Sequence, residues 1–302
     1  MKKITTAYVF LFLIFCVCSS VRAGLEHDLL LTASLNHESD INPDLNFPEF
    51  SSDESDARFC LDAEYTFTSR TNEKDSAGFV VGGQTNMYME EDQFNYDGLD
   101  VAAFYRRENM GPFTFYVNFR YNHYGVDGDP YLYTATLTPV LFWEQSSTMI
   151  GSFSFRMCSL GYYNIDALDG MDFGFEYKQI WFVDDKSELA VSLFINDVSL
   201  DADEMSYFGL RAGAEYTLLI QKGWEVHGVL YLGNKAFAED YPGEGEARNE
   251  NYINGVISSN YSFGKYGSVF AGVSFFNNTS NVETFETDRM VVSAGYIYKL
   301  EF

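Results

Sequence analysis

The chain is poor in basic residues, histidine, cysteine and long apolar runs, and each shortage removes a class of reading. Nineteen Lys and Arg stand against 44 Asp and Glu, a formal charge of −25 over 302 residues. A surface this acidic repels phosphate backbones, so nucleic acid is excluded as a partner. There are four histidines; His27, His123 and His227 are isolated from one another and make no ligand set, so neither a metal nor a cofactor is expected. Beyond the N-terminal segment nothing reaches the ~18 consecutive apolar residues of a transmembrane helix. No acidic stretch has the Asp-x-Asp-x-Asp-Gly spacing of a dedicated calcium loop. No helical repeat, linker or second domain is visible.

What is abundant is aromatic: 18% of residues are Phe, Trp or Tyr, and 46% are hydrophobic. The N-terminus has the order of a secretory signal: Lys2 and Lys3, an apolar run from Ala7 to Cys18, then Ser19, Ser20 and Val21-Arg22-Ala23 before Gly24. Residues 1–23 are therefore set apart, and 24–302 is read as one domain. Phe15 and Val17 precede Cys16 and Cys18 where a lipoprotein site needs a small residue, so neither cysteine is such a site.

From Leu25 onward the dominant period is two. Phe113, Phe115, Val117, Phe119 and Tyr121 alternate with Thr114, Tyr116, Asn118, Arg120 and Asn122. Fourteen such segments follow one another at a spacing of about 20 residues, which suits ~10-residue membrane strands and their connections. Short connections, such as Thr71–Asp75 and Gln221–Gly223, alternate with longer ones at Glu38–Asp56, Glu90–Asp97, Tyr124–Pro130, Tyr163–Leu168, Leu200–Met205, Ala236–Glu250 and Asn277–Thr287. The expected fold is all-β: a transmembrane, antiparallel, up-and-down β-barrel of about 14 strands, with both termini on the short-turn, periplasmic side. Pro139 lies inside the sixth segment, where it cannot donate to a ladder, so either a bulge there or a mistaken strand is expected.

The last segment, Arg289–Phe302, places Met290, Val292, Ala294, Tyr296, Tyr298, Leu300 and Phe302 on one face. Its Ser293-x-Gly295-x-x-Tyr298-x-Leu300-x-Phe302 resembles the C-terminal signal that bacterial outer-membrane barrels present to their insertion machinery. That resemblance implies Sec-type export to the outer membrane of a Gram-negative-type bacterium. It also implies outer-membrane lipid and the insertion machinery as partners.

Parity then assigns the polar face to the lumen: Asp62, Glu64, Asp100, Arg106, Arg120, Glu144, Arg156, Asp172, Glu176, Lys178, Glu188, Arg211, Glu215, Glu225 and His227. Both signs occur, so the residues fit a polar conduit or an interior plugged by ion pairs. Parity also points Cys60 and Cys158 inward on the second and seventh strands. An exported pair suggests a disulfide, but strands so far apart exceed the ~7 Å Cα separation of a bridge, so free thiols are expected. The long connections carry Asp40, Asp44, Glu49, Asp53, Glu54, Asp56, Glu90, Glu91, Asp92, Asp127, Asp129, Asp201, Asp203, Glu204, Glu239, Asp240, Glu244 and Glu246, an acidic mouth that attracts cations or simply stays solvated.

The first strand ends in Asn36-His37-Glu38-Ser39-Asp40. This His-x-Ser resembles outer-membrane phospholipase and lipid A deacylase barrels, and implies His37 as base and Ser39 as nucleophile. Asp40 departs from the Asn that often follows there. Continued as Leu31-Thr-Ala-Ser-Leu-Asn-His-Glu-Ser39-Asp40-Ile41-Asn42-Pro43, the same stretch resembles the opening of the barrel in surface lipoprotein assembly modifiers, which usually reads Asp-Ser-Asn-Ile-Asn. The likeness covers the barrel and not the helical-repeat domain such proteins commonly carry. It implies a conduit or export and assembly factor at the cell surface, with a polypeptide or lipoprotein client. The alternatives are a cation-favouring porin-like channel, an acyl hydrolase using His37 and Ser39, and a non-conducting surface anchor or adhesin.

Overall fold

A computed structural model describes residues 25–39, 41, 54–243 and 245–302. The signal segment, Asp40, Asp44, Glu49, Asp53 and Glu244 lie outside the described residues. Fourteen strands follow in order: β1 Leu25–Glu38, β2 Asp56–Arg70, β3 Asp75–Tyr88, β4 Tyr96–Met110, β5 Phe113–Val126, β6 Asp129–Ser146, β7 Met149–Tyr162, β8 Gly170–Asp184, β9 Ser187–Leu200, β10 Tyr207–Gln221, β11 Trp224–Asp240, β12 Ala247–Phe263, β13 Gly267–Ser280 and β14 Thr287–Glu301. Each pairs antiparallel with its neighbours, and β1 closes onto β14 to give a closed barrel. At the closure Ala33 sits opposite Tyr296 on one side and Leu61 on the other.

Closure leaves no free edge, so the ladders satisfy the backbone from within the wall. The outer face can then stay apolar with nothing packed over it. Leu35, Leu61, Phe119, Phe153, Leu193, Leu232, Ile257, Met290 and Val292 are all exposed on that face. A second sheet or helical layer would bury such side chains; here hydrocarbon is the solvent they fit. No helix among the described residues is long and apolar enough to cross a membrane, and the crossing elements are strands.

One rim carries both ends of the described chain and the tight turns after β2, β4, β6, β8, β10 and β12. The other carries the connections after β1, β3, β5, β7, β9, β11 and β13, four of which hold a single 3-10 turn among the described residues. We call them the turn rim and the loop rim. Register shifts lie near the strand ends, as at Arg107/Met110 and Leu219/Gln221, where an extra residue costs the wall least.

Two expectations need correction. Tyr124–Pro130 is not a long connection. β5 and β6 continue until Val126 pairs with Asp129. Asp127 and Gly128 make the turn with φ of 49° and 80°, the paired positive values of a primed two-residue hairpin, which an Asp-Gly dipeptide favours. Pro139 causes neither a bulge nor a break. It pairs with Val117 of β5 in unbroken register. Toward β7 the ladder pauses between Leu137↔Met157 and Val140↔Ser154 and resumes without a shift, so the missing N–H interrupts one edge of β6 while the other carries the strand.

Candidate functional site in the barrel lumen

Alternation places the even-numbered residues of β2–β9 and the odd-numbered residues of β10 and β11 on the inner wall, opposite the exposed apolar set. On β7–β11 these side chains form a continuous ladder. Arg156 is bonded to Asp172, which also accepts from Asn196 Nδ2 at 3.2 Å. Arg211 approaches Glu176 at 3.7 Å, and Lys178 donates to Glu215 at 2.7 Å. Glu215 also accepts from Tyr231 at 3.0 Å. Aromatic faces link the pairs: Arg156 and Arg211 lie 4.6 and 4.9 Å from the ring centre of Phe194, and Arg211 lies 4.8 Å from Tyr231. Phe194 can lie flat because Gly174, diagonal to it across the β8–β9 ladder, has no side chain; a Cβ there would stand 2.6 Å from the ring.

The β1–β5 wall differs. Asp62, Glu64, Asp100 and Arg120 border a cavity of about 280 Å³, with Arg120 the only basic side chain in its lining. Arg120 reaches Asp100 at 3.2 Å. Arg106 lies nearer the turn rim, in the lining of a second cavity of about 720 Å³, and pairs with Glu108 at 3.0 Å. His227 stands between Thr217 and Ser258 in the β11 ladders.

At the loop rim the inner wall is packed. Glu38 is fully buried; it is ion-paired with Arg58 at 2.7 Å and Arg289 at 3.2 Å, and it accepts from the Tyr88 hydroxyl at 3.0 Å. Arg58 also donates to the Tyr96 hydroxyl at 2.8 Å. Farther round, Arg248 is sandwiched with its guanidinium carbon 3.6 Å from the ring centres of both Phe237 and Phe285, and it pairs with Glu250 at 3.1 Å. Leu168, folded in from the connection after β7, packs with Tyr162, Val198 and Leu200. Just outside these patches, Glu91 shares a hydrogen bond with the Glu54 carboxyl. That bond, with partial desolvation behind it, holds the Glu91 carboxyl above the usual carboxylate range.

These rim residues escaped the sequence reading. Arg58 and Arg289 have inward parity, so alternation alone would have found them. The sequence pattern starts the first long connection at Glu38, whereas β1 runs through it. Arg248 and Phe237 were missed likewise, because the strands flanking them are longer than the alternation implies.

The remaining predicted residues are placed as follows. His37 is exposed on the outer face, opposite Val292 and Ala57. Ser39 Oγ accepts the Met290 N–H at 2.9 Å, and its own N–H donates to Met290 O at 2.9 Å. The serine is thus tied into the β1–β14 seam, and no hydrogen bond joins it to His37 among the described residues. Cys60 and Cys158 are free and buried; Asn36 donates to Cys60 Sγ at 2.8 Å and Thr136 to Cys158 Sγ at 3.2 Å. In β14, Ser293 donates to Gly272 O at 3.4 Å, Gly295 lies under Phe270, and Tyr298 and Leu300 pair with Leu31 and Leu29. Phe302 is half exposed, its N–H donating to His27 O at 2.9 Å.

No protein-family model matches the chain, and no curated protein matches it significantly in sequence. Its fold does match solved structures. The anion-selective porin from Comamonas acidovorans superposes with a TM-score of 0.53 at 8% identity, over 91% of this chain and 99% of that one. OmpT, an outer membrane protein of Vibrio cholerae, gives 0.51 at 9%, over 91% and 99%. A variant of the TodX monoaromatic hydrocarbon channel gives 0.50 at 7%, over 93% and 91%. At such identities the likeness shows the fold alone. That fold is the bacterial outer-membrane β-barrel, and the bare apolar belt puts this chain in the outer membrane.

Proposed function

We propose that the barrel is a conduit for small hydrophilic solutes, favouring cations and restricted at its loop rim. The observation that carries this reading is the cavity of about 280 Å³ whose lining holds Asp62, Glu64 and Asp100 against Arg120 alone. Carboxylates facing a water-accessible lumen select for cations by lowering the energy of a cation there and raising that of an anion. The opposite wall adds little net field, because Arg156, Lys178 and Arg211 are each held by a carboxylate. The packed groups around Glu38 and Arg248 make the restriction.

The likeness of Leu31–Pro43 to surface lipoprotein assembly modifiers favours a second reading, passage of a polypeptide or lipoprotein client. It needs the packing at Glu38 and Arg248 to separate by the width of an extended chain, so it demands a larger rearrangement than solute passage does. Planar-bilayer recording tests the first reading. Cation-preferring events are expected for the native barrel, with longer open times for Arg248→Ala. Silence from both proteins would remove it.

A further inference from the structure

The turn-side cavity differs in character from the rest of the lumen. Its volume is about 720 Å³, within the ~300–1,000 Å³ typical of small-molecule sites. The inward positions that floor it are apolar: Val80, Phe104, Tyr116, Phe142 and Ile150, one from each of β3–β7. Farther along the same wall, inward positions carry Asp100, Arg120 and Asn122. A conduit for water and ions needs no such floor, and polar residues there would be better solvated. Phe104 and Tyr116 stack with centroids 6.2 Å apart, so the floor presents ring faces as well as edges.

The mouth around this floor is charged, and the charges do not cancel. Glu26, Glu73, Asp75, Glu108 and Glu144 face Arg70, Lys74 and Arg106, and Arg107, just outside the lining, pairs with Asp75 at 3.8 Å, so five carboxylates meet four basic groups. Arg106 is taken by Glu108 at 3.0 Å and Arg70 by Glu26 at 3.2 Å. Glu144 has no basic partner among the described residues, and it stands beside the apolar floor, opposite Ile150 in the β6–β7 register. An apolar, aromatic surface with an unneutralised carboxylate beside it is complementary to a molecule with an apolar body and one positive charge. Ring faces add to this, because their negative quadrupole attracts the same cation.

We infer that the vestibule binds organic cations bearing an aromatic or branched apolar body, with the body on the Phe104–Phe142 floor and the cationic head at Glu144. This extends the conduit reading to a substrate class, but binding at the vestibule requires no passage. Saturable binding without channel events would sink the conduit and leave this site. Channel events without binding would do the reverse.

The experiment is calorimetric titration of the folded, heat-modifiable barrel in detergent with three probes. Benzyltrimethylammonium has ring and charge, benzenesulfonate the ring with opposite charge, and tetramethylammonium the charge without the ring. The first should bind saturably, and the other two at least about fivefold more weakly, the order of one solvent-accessible ion pair or one exposed cation–π contact. Glu144→Gln, at an exposed position, should fold normally and weaken the first probe by about fivefold without changing its stoichiometry. Phe104→Leu should also weaken it while sparing the fold. Equal binding of benzenesulfonate, native affinity in Glu144→Gln, or no saturable binding by the folded barrel would each overturn the inference.

Discussion

At the scale of single residues, the inner wall is held by side chains whose partners depend on register as much as on alternation. Gly174 and Phe194 are the clearest pair. The ring occupies the space a Cβ would take and serves as a platform for Arg156 and Arg211. Gly174→Val should push Phe194 off this position and cost about 1–3 kcal/mol, the usual range for overpacking. A fall in the temperature at which the heat-modifiable band is lost would show it, and Gly228→Val, where a Cβ meets nothing, should leave that temperature nearly unchanged. Glu38 is the more consequential residue, since it is fully buried between Arg58 and Arg289. Glu38→Ala would leave two guanidinium groups facing each other across an empty site. Breaking a buried pair in this way costs about 3–5 kcal/mol. The same melting assay should register the loss, with Glu38→Gln intermediate because it still accepts from Tyr88. The sequence told that Arg156 and Arg211 point inward, since that needs only a period of two. Which carboxylate each would meet was not legible, because partner choice follows from strand register and from the room that Gly174 leaves.

At the scale of elements, all fourteen strands were legible, and the errors lay where strands end. Period-two patterning persists across a wall, but at a rim the residues on both faces turn polar and the pattern stops before the ladder does. That is why Asp127-Gly128 was submerged in a supposed seven-residue connection, although an Asp-Gly turn was there to be read. It is also why the alternation leaves Glu38, Phe237 and Arg248 outside the strands. Pro139 taught the opposite lesson: a residue that breaks one edge of a strand leaves the other edge able to hold register. The connections themselves offer a pH test. Glu91 is shifted upward by its bond to the Glu54 carboxyl. A raised folded value means the contact is fully present in acid, below the ordinary glutamate range, and is lost as pH rises through the shifted value. Digestion of the loop rim by proteinase K, normalised at each pH to that of an unfolded peptide, should therefore be slower at pH 4 than at pH 7.5. Glu91→Gln keeps a neutral donor at both values and should abolish the difference; a native pH dependence in that variant would refute the assignment.

At the scale of the whole molecule, two asymmetries shape the account. The outer face is apolar and uncovered, which fixes the compartment, and the inner face is charged, with Asp62 and Glu64 on the β1–β5 wall and Glu144 near the turn rim unpaired among the described residues. The fold alone says nothing of selectivity, since the Comamonas acidovorans barrel it resembles is anion-selective. Selectivity belongs to the wall, and here Asp62 and Glu64 stand in a cavity with one arginine. The most direct measurement is the reversal potential of the purified barrel in a planar bilayer under a tenfold potassium chloride gradient, native against Asp62→Asn/Glu64→Gln. The account predicts a cation-selective potential for the native protein. It should shrink in the double variant, and at high salt as the Debye length falls from ~10 Å at 0.1 M to ~3 Å at 1 M. An anion-selective native potential, or one that the double variant leaves unchanged, would contradict it.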